Sequence, residues 1–191
     1  RVLVLLDGFQ VSIPNSGSVD WNAMPLEFIE KIEIAKGPVS SLYGQNSMGG
    51  VINLVTKKSQ EEFSKIKVNL GSFNARNINL GLNKNNKDGL SYITLFQYKE
   101  GDGHRFNSQY RQNNLYFKAH SSESNFTTSI MINKSFNGQP GFDKPERPSL
   151  ISYRLSDRDS IYFQFFKRFD FQDNQNFDFS FSINHFYTYY R

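Results

Sequence analysis

Hydrophobic positions follow two different rules along this chain. From residue 1 to about residue 58 they come in short continuous runs broken by glycine and proline. Val2-Leu3-Val4-Leu5-Leu6 is uninterrupted and closes on Asp7-Gly8, the pattern of a strand buried on both faces that ends in a tight turn. Pro14-Asn15-Ser16-Gly17-Ser18 has loop composition. Pro25 opens a short helical turn through Ile29, where its missing N–H is tolerated. Ile29, Ile32 and Ile34 lead into a second strand that stops at Gly37-Pro38. A short helix from Val39 to Tyr43 is closed by Gly44, and Gly49-Gly50 precedes a third strand, Val51 to Thr56. These features predict a small α+β unit.

From about residue 63 the period becomes two. Ile66, Val68 and Leu70 alternate with Lys65, Lys67 and Asn69; Ile78, Leu80 and Leu82 alternate with Asn77, Asn79 and Asn83. Tyr92, Thr94, Phe96 and Tyr98 follow a Lys87-Asp88-Gly89 turn. Further candidates are Asn113–Ser121, Phe126–Lys134, Ile151–Ser156, Ser160–Lys167 and Phe177–Tyr187. The pattern predicts an antiparallel meander of about eight strands. Two connectors are longer, Lys99–Tyr110 and Ser135–Ser149, as in barrels whose two rims carry short turns and long loops.

Composition sharpens this. The 191 residues are 38% hydrophobic and 16% aromatic, with 19 Phe and 10 Tyr. A core built on aromatics suits a barrel wall with aromatic girdles and one polar face. No run approaches the roughly 18 apolar residues of a membrane helix. Arg1 leads straight into a strand with neither an initiator Met nor a leader pattern, so the sequence reads as starting within a longer protein. The 22 basic and 18 acidic residues are interspersed, unlike the concentrated stripe of a nucleic-acid-binding surface. No cysteine is present, and His104, His120 and His185 stand in unrelated contexts. No metal, cofactor or catalytic constellation is expected, and an enzyme is not. Loop carboxylates such as Asp102, Asp157, Asp159 and Asp170 read as solvated turn residues.

Five blocks in order carry a more specific message: Val2-Leu3-Val4-Leu5-Leu6-Asp7-Gly8, Pro25–Ile34, Lys36-Gly37-Pro38, Ser41-Leu42-Tyr43-Gly44 and Gly49-Gly50-Val51-Ile52-Asn53-Leu54-Val55-Thr56. Together they resemble the C-terminal half of the plug of a TonB-dependent outer-membrane receptor. Gly17-Ser18-Val19-Asp20-Trp21 before Pro25 looks most like the vitamin B12 and related branch. The expected architecture is then residues 1–58 as the second half of a plug and 59–191 as the first strands of a transmembrane barrel of about 22 strands. Within the motif blocks Asp7, Gly8, Gly37, Pro38, Tyr43, Gly44, Gly49, Gly50 and Asn53 read as structural. Gly37 and Gly44 supply φ > 0, Pro38 sits in the helix's first turn, and Gly49-Gly50 permits a close backbone approach.

The resemblance implies an uptake receptor for a scarce solute (an iron-siderophore, haem or cobalamin) in the outer membrane of a Gram-negative-type bacterium. TonB would act on a box N-terminal to the plug. It implies that Glu30, Glu33 and Lys36 meet charges on the barrel wall, Lys36 standing where the family usually has Arg. It also implies apical loops at 10–20 and 45–48, whose Gln10, Ser12, Asn15, Ser16, Ser18, Asp20, Trp21 and Asn46 are candidate solute contacts. The competing expectation is a non-transporting β-barrel or β-domain with a binding or adhesive role, which leaves the plug-like residues unexplained.

Overall fold

A computed structural model describes residues 2–11, 19, 21, 24, 26, 29–44, 46–56, 62–86, 89–139, 154–170 and 176–190. It divides into two compact units, Arg1–Lys58 and Ser59–Arg191. Each is described by itself.

The first unit holds four strands, β1 (Leu3–Leu6), β2 (Phe9–Gln10), β3 (Ile29–Lys36) and β4 (Gly50–Thr56), with a one-turn helix α1 (Ser40–Tyr43). Their order in the sheet is β2-β1-β4-β3. β1 and β4 are parallel, with Leu3 opposite Val51 and Leu6 opposite Leu54. A parallel central strand is covered on both faces, which is why β1 is an unbroken apolar run with all four residues buried. Leu3, Leu5 and Val51 pack on one face with Ala35 and Val39, while Val4, Leu6 and Leu54 are buried on the other. Asp7 (φ 49°) and Gly8 (φ 86°) form the two-residue turn to β2, both left-handed as a type I′ hairpin requires.

One sequence expectation differs from the structure. Val39 O accepts from Tyr43 N at 3.1 Å, so Val39 opens the helix and Pro38 precedes it rather than occupying the first turn. The close backbone approach expected at Gly49-Gly50 is seen at Gly50, whose φ is 127° and where a Cβ would stand 2.5 Å from Ala35 O on β3. Gly37 (φ 94°) and Gly44 (φ 74°) adopt the conformations expected of them. The helical turn expected over Pro25–Ile29 falls partly outside the described residues.

The second unit is a seven-stranded sheet in which every strand pairs antiparallel with its chain neighbours. The strands are β5 (Phe63–Leu70), β6 (Arg76–Asn85), β7 (Leu90–Gly101), β8 (Tyr110–Ser121), β9 (Phe126–Gln139), β10 (Arg154–Asp170) and β11 (Asn176–Tyr190). Several run further than the apolar pattern suggests. Ile151–Ser156 and Ser160–Lys167, read as two strands, fall on one: Arg154 to Asp170 is continuous, and 151–153 lie outside the described residues. The apparent break at Asp157-Arg158-Asp159 pairs with Phe136, Ser135 and Lys134 on one side and Tyr189, Thr188 and Tyr187 on the other. Likewise β7 reaches Gly101 and β9 reaches Gln139, shortening both expected connectors. Toward these strand ends the outward positions become charged while inward ones such as Gln112 and Ser135 stay polar and occluded, so charge interrupts the hydrophobic alternation without interrupting the backbone ladder.

The two faces of this sheet are unlike. Cross-strand register places Asn79, Gln97, Asn114, Asn133 and Ser160 in one transverse row, and Leu80, Phe96, Leu115, Ile132 and Ile161 in the adjacent row of the opposite face. The polar row is the occluded one: Asn133 is 2% exposed and Asn114 7%, against 37% for Leu115 and Ile132 and 43% for Ile161. The outward face continues apolar through Ile66, Val68 and Leu70 on β5 and Phe177, Phe179, Phe181 and Ile183 on β11. On the occluded face a central patch of Ile93, Leu95, Tyr116, Met131 and Tyr162 is the exception to its polarity.

Candidate functional site

In the first unit the β1–β2 turn anchors a chain of polar contacts. Asp7 Oδ1 accepts from Thr56 N at 2.8 Å and Oδ2 from the Thr56 hydroxyl at 2.7 Å. Gly8 N donates to Asn53 Oδ1 at 2.9 Å, and Asn53 Nδ2 donates to Glu33 Oε2 at 3.0 Å. Glu33 Oε1 in turn pairs with Lys31 Nζ at 2.6 Å. The turn is thereby tied to the end of β4 and, through β4, to the edge strand β3. The Lys31 hydrogen bond and then that of Asn53 hold the Glu33 carboxyl below the usual carboxylate range. The same hydrogen bond and the charge of Glu33 raise Lys31. Both side chains remain about half exposed, so this is a hydrated surface latch rather than a buried pair.

Of the residues singled out from sequence, the structure thus joins Asp7, Gly8, Asn53 and Glu33. Glu30 and Lys36 are exposed on the same strand; Glu30 lies at a bulge where the β3–β4 register shifts between Ile29 and Lys31, and Lys36 pairs with Gly50. Gln10 belongs to β2, opposite Leu5, and not to a loop. Trp21 is exposed, with its carbonyl accepting from Met24 N. Asn46 is half-buried at φ 73° in the turn between α1 and β4, and Tyr43 is exposed. Ser12, Asn15, Ser16, Ser18 and Asp20 lie outside the described residues.

Sequence reasoning missed two supports of this unit. Ser47 is fully buried; its hydroxyl donates to Gly44 O at 2.7 Å and its carbonyl accepts from Val39 N and Gly50 N. Thr56 receives both Asp7 oxygens. Only the helical stop at Gly44 hinted at the first, and the parallel register, invisible in sequence, creates the second.

The large sheet carries a second constellation on its occluded face. Gln97 Nε2 donates to Asn79 Oδ1 at 2.6 Å, Asn114 Nδ2 donates to Gln97 Oε1 at 3.1 Å, and Asn133 Nδ2 donates to Asn114 Oδ1. This is an amide ladder across β6, β7, β8 and β9. Toward β10, the Ser129 hydroxyl donates to Gln164 Oε1 at 2.8 Å. Amides suit such a row because each both donates and accepts, and so relays the direction of hydrogen bonding. Among the described residues no group of three or more metal-ligating side chains gathers, and no helix is long and apolar enough to cross a membrane, which says nothing about crossing by strands.

Comparison with known proteins agrees with these features. Residues 1–51 match the TonB-dependent receptor plug domain family. The vitamin B12 transporter BtuB of Vibrio cholerae serotype O1 is 32% identical over 123 residues, covering 56% of this chain and 20% of that protein. Among solved structures, the alcaligin outer-membrane receptor FauA of Bordetella pertussis aligns over 99% of this chain and 31% of its own, with TM-score 0.71 and 14% identity. The siderophore receptor PirA of Pseudomonas aeruginosa aligns over 99% and 33%, with TM-score 0.67 and 18% identity. The chain therefore spans about a fifth of the length of the curated relative and about a third of these structures. Residues 1–51 thus match the TonB-dependent receptor plug family, the aligned stretch of the sequence relative is longer than that segment, and the fold of the chain is that of the matching parts of these solved structures.

Proposed function

We propose that these residues are part of an energised uptake receptor in the outer membrane of a Gram-negative-type bacterium. Residues 1–58 serve as the latter part of its plug and 59–191 as strands of its transmembrane β-barrel. The observation that supports this most is the inverted large sheet, with its polar row occluded and its apolar row outward. Water would not favour that arrangement, but lipid outside and a polar lumen inside would. β7 to β11 also exceed the roughly 9–11 residues that a tilted strand needs to span a bilayer.

The plug latch at Asp7, Asn53 and Glu33 is the element that movement of the plug would have to break or carry intact. Its hydrated, hydrogen-bonded character suits reversible remodelling by TonB. Solute contact is assigned to the segments around 10–21 and 45–48, with Trp21 and Asn46 the described members that offer an aromatic face and an amide. Iron-siderophores, haem and cobalamin are the solute classes, the sequence relative favouring cobalamin for the first trial.

The test is growth of a strain lacking the gene, with and without the full-length gene restored, on ferric siderophores, haem or cobalamin as the limiting nutrient. Restored growth on at least one, abolished when TonB is deleted, is the expected result. Equal growth with and without the gene across the panel would overturn the proposal.

A further inference from the structure

The rim of the large sheet that bears connectors 71–75, 102–109 and 140–153 carries a charged cluster that the transport reading does not use. Arg76, Glu100 and Arg111 are cross-strand partners on β6, β7 and β8. By register they share the outward face with Leu80, Phe96 and Leu115. Glu100 sits between the arginines, 3.5 Å from Arg76 and 3.9 Å from Arg111. Its Oε2 also accepts from the Tyr98 hydroxyl at 2.7 Å, which fixes the carboxylate below both guanidinium groups. The arginine side chains are 60% and 65% exposed, against 24% for Glu100. Beside them is a cleft of about 560 Å³, reached by Tyr110, Phe136 and Asp102, the last accepting from Asn74 Nδ2 at 2.5 Å.

We infer that Arg76 and Arg111 form a site for a phosphate group of an outer-leaflet lipid headgroup. Two ion pairs this long leave most of each guanidinium edge turned outward. Each guanidinium has five N–H donors in a fork that matches a tetrahedral oxyanion. Glu100 orients both forks, and Tyr98 holds Glu100. A lipid is favoured over a free anion by position. The arginines cap the apolar face one outward row beyond Ile78 and Tyr98 and level with Phe136, at the height where aromatic side chains mark the membrane interface. The rim is the outer one, because the opposite rim bears only the short connectors 86–89, 122–125 and 171–175.

The inference rests on the outer-membrane barrel reading, so the experiment separates the two. The full-length receptor, and its Arg76→Gln/Arg111→Gln and Arg76→Lys/Arg111→Lys variants, are first checked for insertion by heat-modifiable mobility. Retention of bis-phosphorylated and of dephosphorylated lipid A is then counted by native mass spectrometry. Wild type should retain the phosphorylated form preferentially, the glutamine variant about tenfold more weakly per arginine removed, and the lysine variant in between. Millimolar inorganic phosphate should not compete; competition would identify a free-oxyanion site and overturn the lipid assignment. Equal retention by wild type and the glutamine variant, or no preference for phosphate, would overturn the site while leaving the barrel reading intact. Failure of wild type to insert would overturn both.

Discussion

Leu115→Arg puts the inverted sheet to a quantitative test. Leu115 is near the middle of β8, between Phe96 on β7 and Ile132 on β9. At about 3.4 Å per residue it stands about 17 Å along the strand from Tyr110 and about 20 Å from Ser121. With a strand tilt of about 45°, those become distances of about 12 and 14 Å from the strand ends; the polar outward row of Asn113, Lys134 and Asp159 is only about 5 Å away in depth, so Leu115 stands off-centre in an apolar band about 25 Å tall. An arginine destabilises a barrel by about 2–4 kcal/mol at the midplane and by less toward the interface, so at this depth the expected loss is about 1–2 kcal/mol, or roughly 5- to 30-fold in the folding equilibrium. In a water-facing sheet the same substitution, on a side chain already 37% exposed, would change stability by about 0.5 kcal/mol or less. The assay is urea-dependent folding of the full-length protein into lipid vesicles, read by heat-modifiable mobility, with Leu115→Phe as a lipid-compatible control. A Leu115→Arg midpoint within error of wild type would refute the assignment of this face to lipid.

Five other outcomes are expected. Asp7→Ala removes both acceptors of Thr56 and should destabilise the first unit by about 1–3 kcal/mol, seen as earlier protease cleavage between residues 1 and 58. Gly50→Ala forces a Cβ against Ala35 O and a left-handed φ on alanine, so hydrogen exchange of the β3 and β4 amides should accelerate while β5–β11 stay protected. Asn114→Ala interrupts the amide ladder and strands the Gln97 and Asn133 amides, lowering the urea midpoint of folding by the equivalent of about 1–3 kcal/mol. The Lys31–Glu33 pair should show a defined pH window. Glu33, lowered when folded, contributes above its unfolded value and loses that contribution as pH falls through the folded one; Lys31, raised when folded, contributes below its unfolded value and loses it as pH rises through the folded one. The stability difference between wild type and Glu33→Gln should therefore be present near neutrality and be lost as pH falls through the lowered folded value of Glu33, and a difference that stayed unchanged down to full protonation of the carboxylates would contradict the pairing. Glu33→Lys, which reverses the charge facing Lys31, should impair uptake without preventing insertion.

How much of this was legible in the sequence depended on the range of each interaction. Local signals were read well. Asp7-Gly8 announces a type I′ turn, Gly37 and Gly44 announce left-handed residues, and the alternation at 65–70 and 77–83 identifies which face is apolar. Features requiring cross-strand register were not readable. Nothing in the one-dimensional pattern tells that Asn79, Gln97, Asn114 and Asn133 fall in one row, or that Thr56 meets Asp7. Strand ends were underestimated for one reason throughout: Asp157-Arg158-Asp159, Lys99-Glu100 and Ser135–Gln139 lie past the apolar rows, where polar residues continue the ladder rather than mark a turn.

The central claim, that the large sheet faces lipid with its apolar row and a polar lumen with its amide row, is tested most directly by cysteine scanning along β10. These 191 residues contain no cysteine, so with any cysteine elsewhere in the full-length protein replaced by serine, single substitutions at Ile161, Tyr162, Phe163, Gln164 and Phe165 can each be labelled with an environment-sensitive fluorophore. In reconstituted full-length protein, a lipid-confined quencher should act on labels at 161, 163 and 165 and spare those at 162 and 164. Quenching without a period of two, or strongest at 162 and 164, would contradict the account.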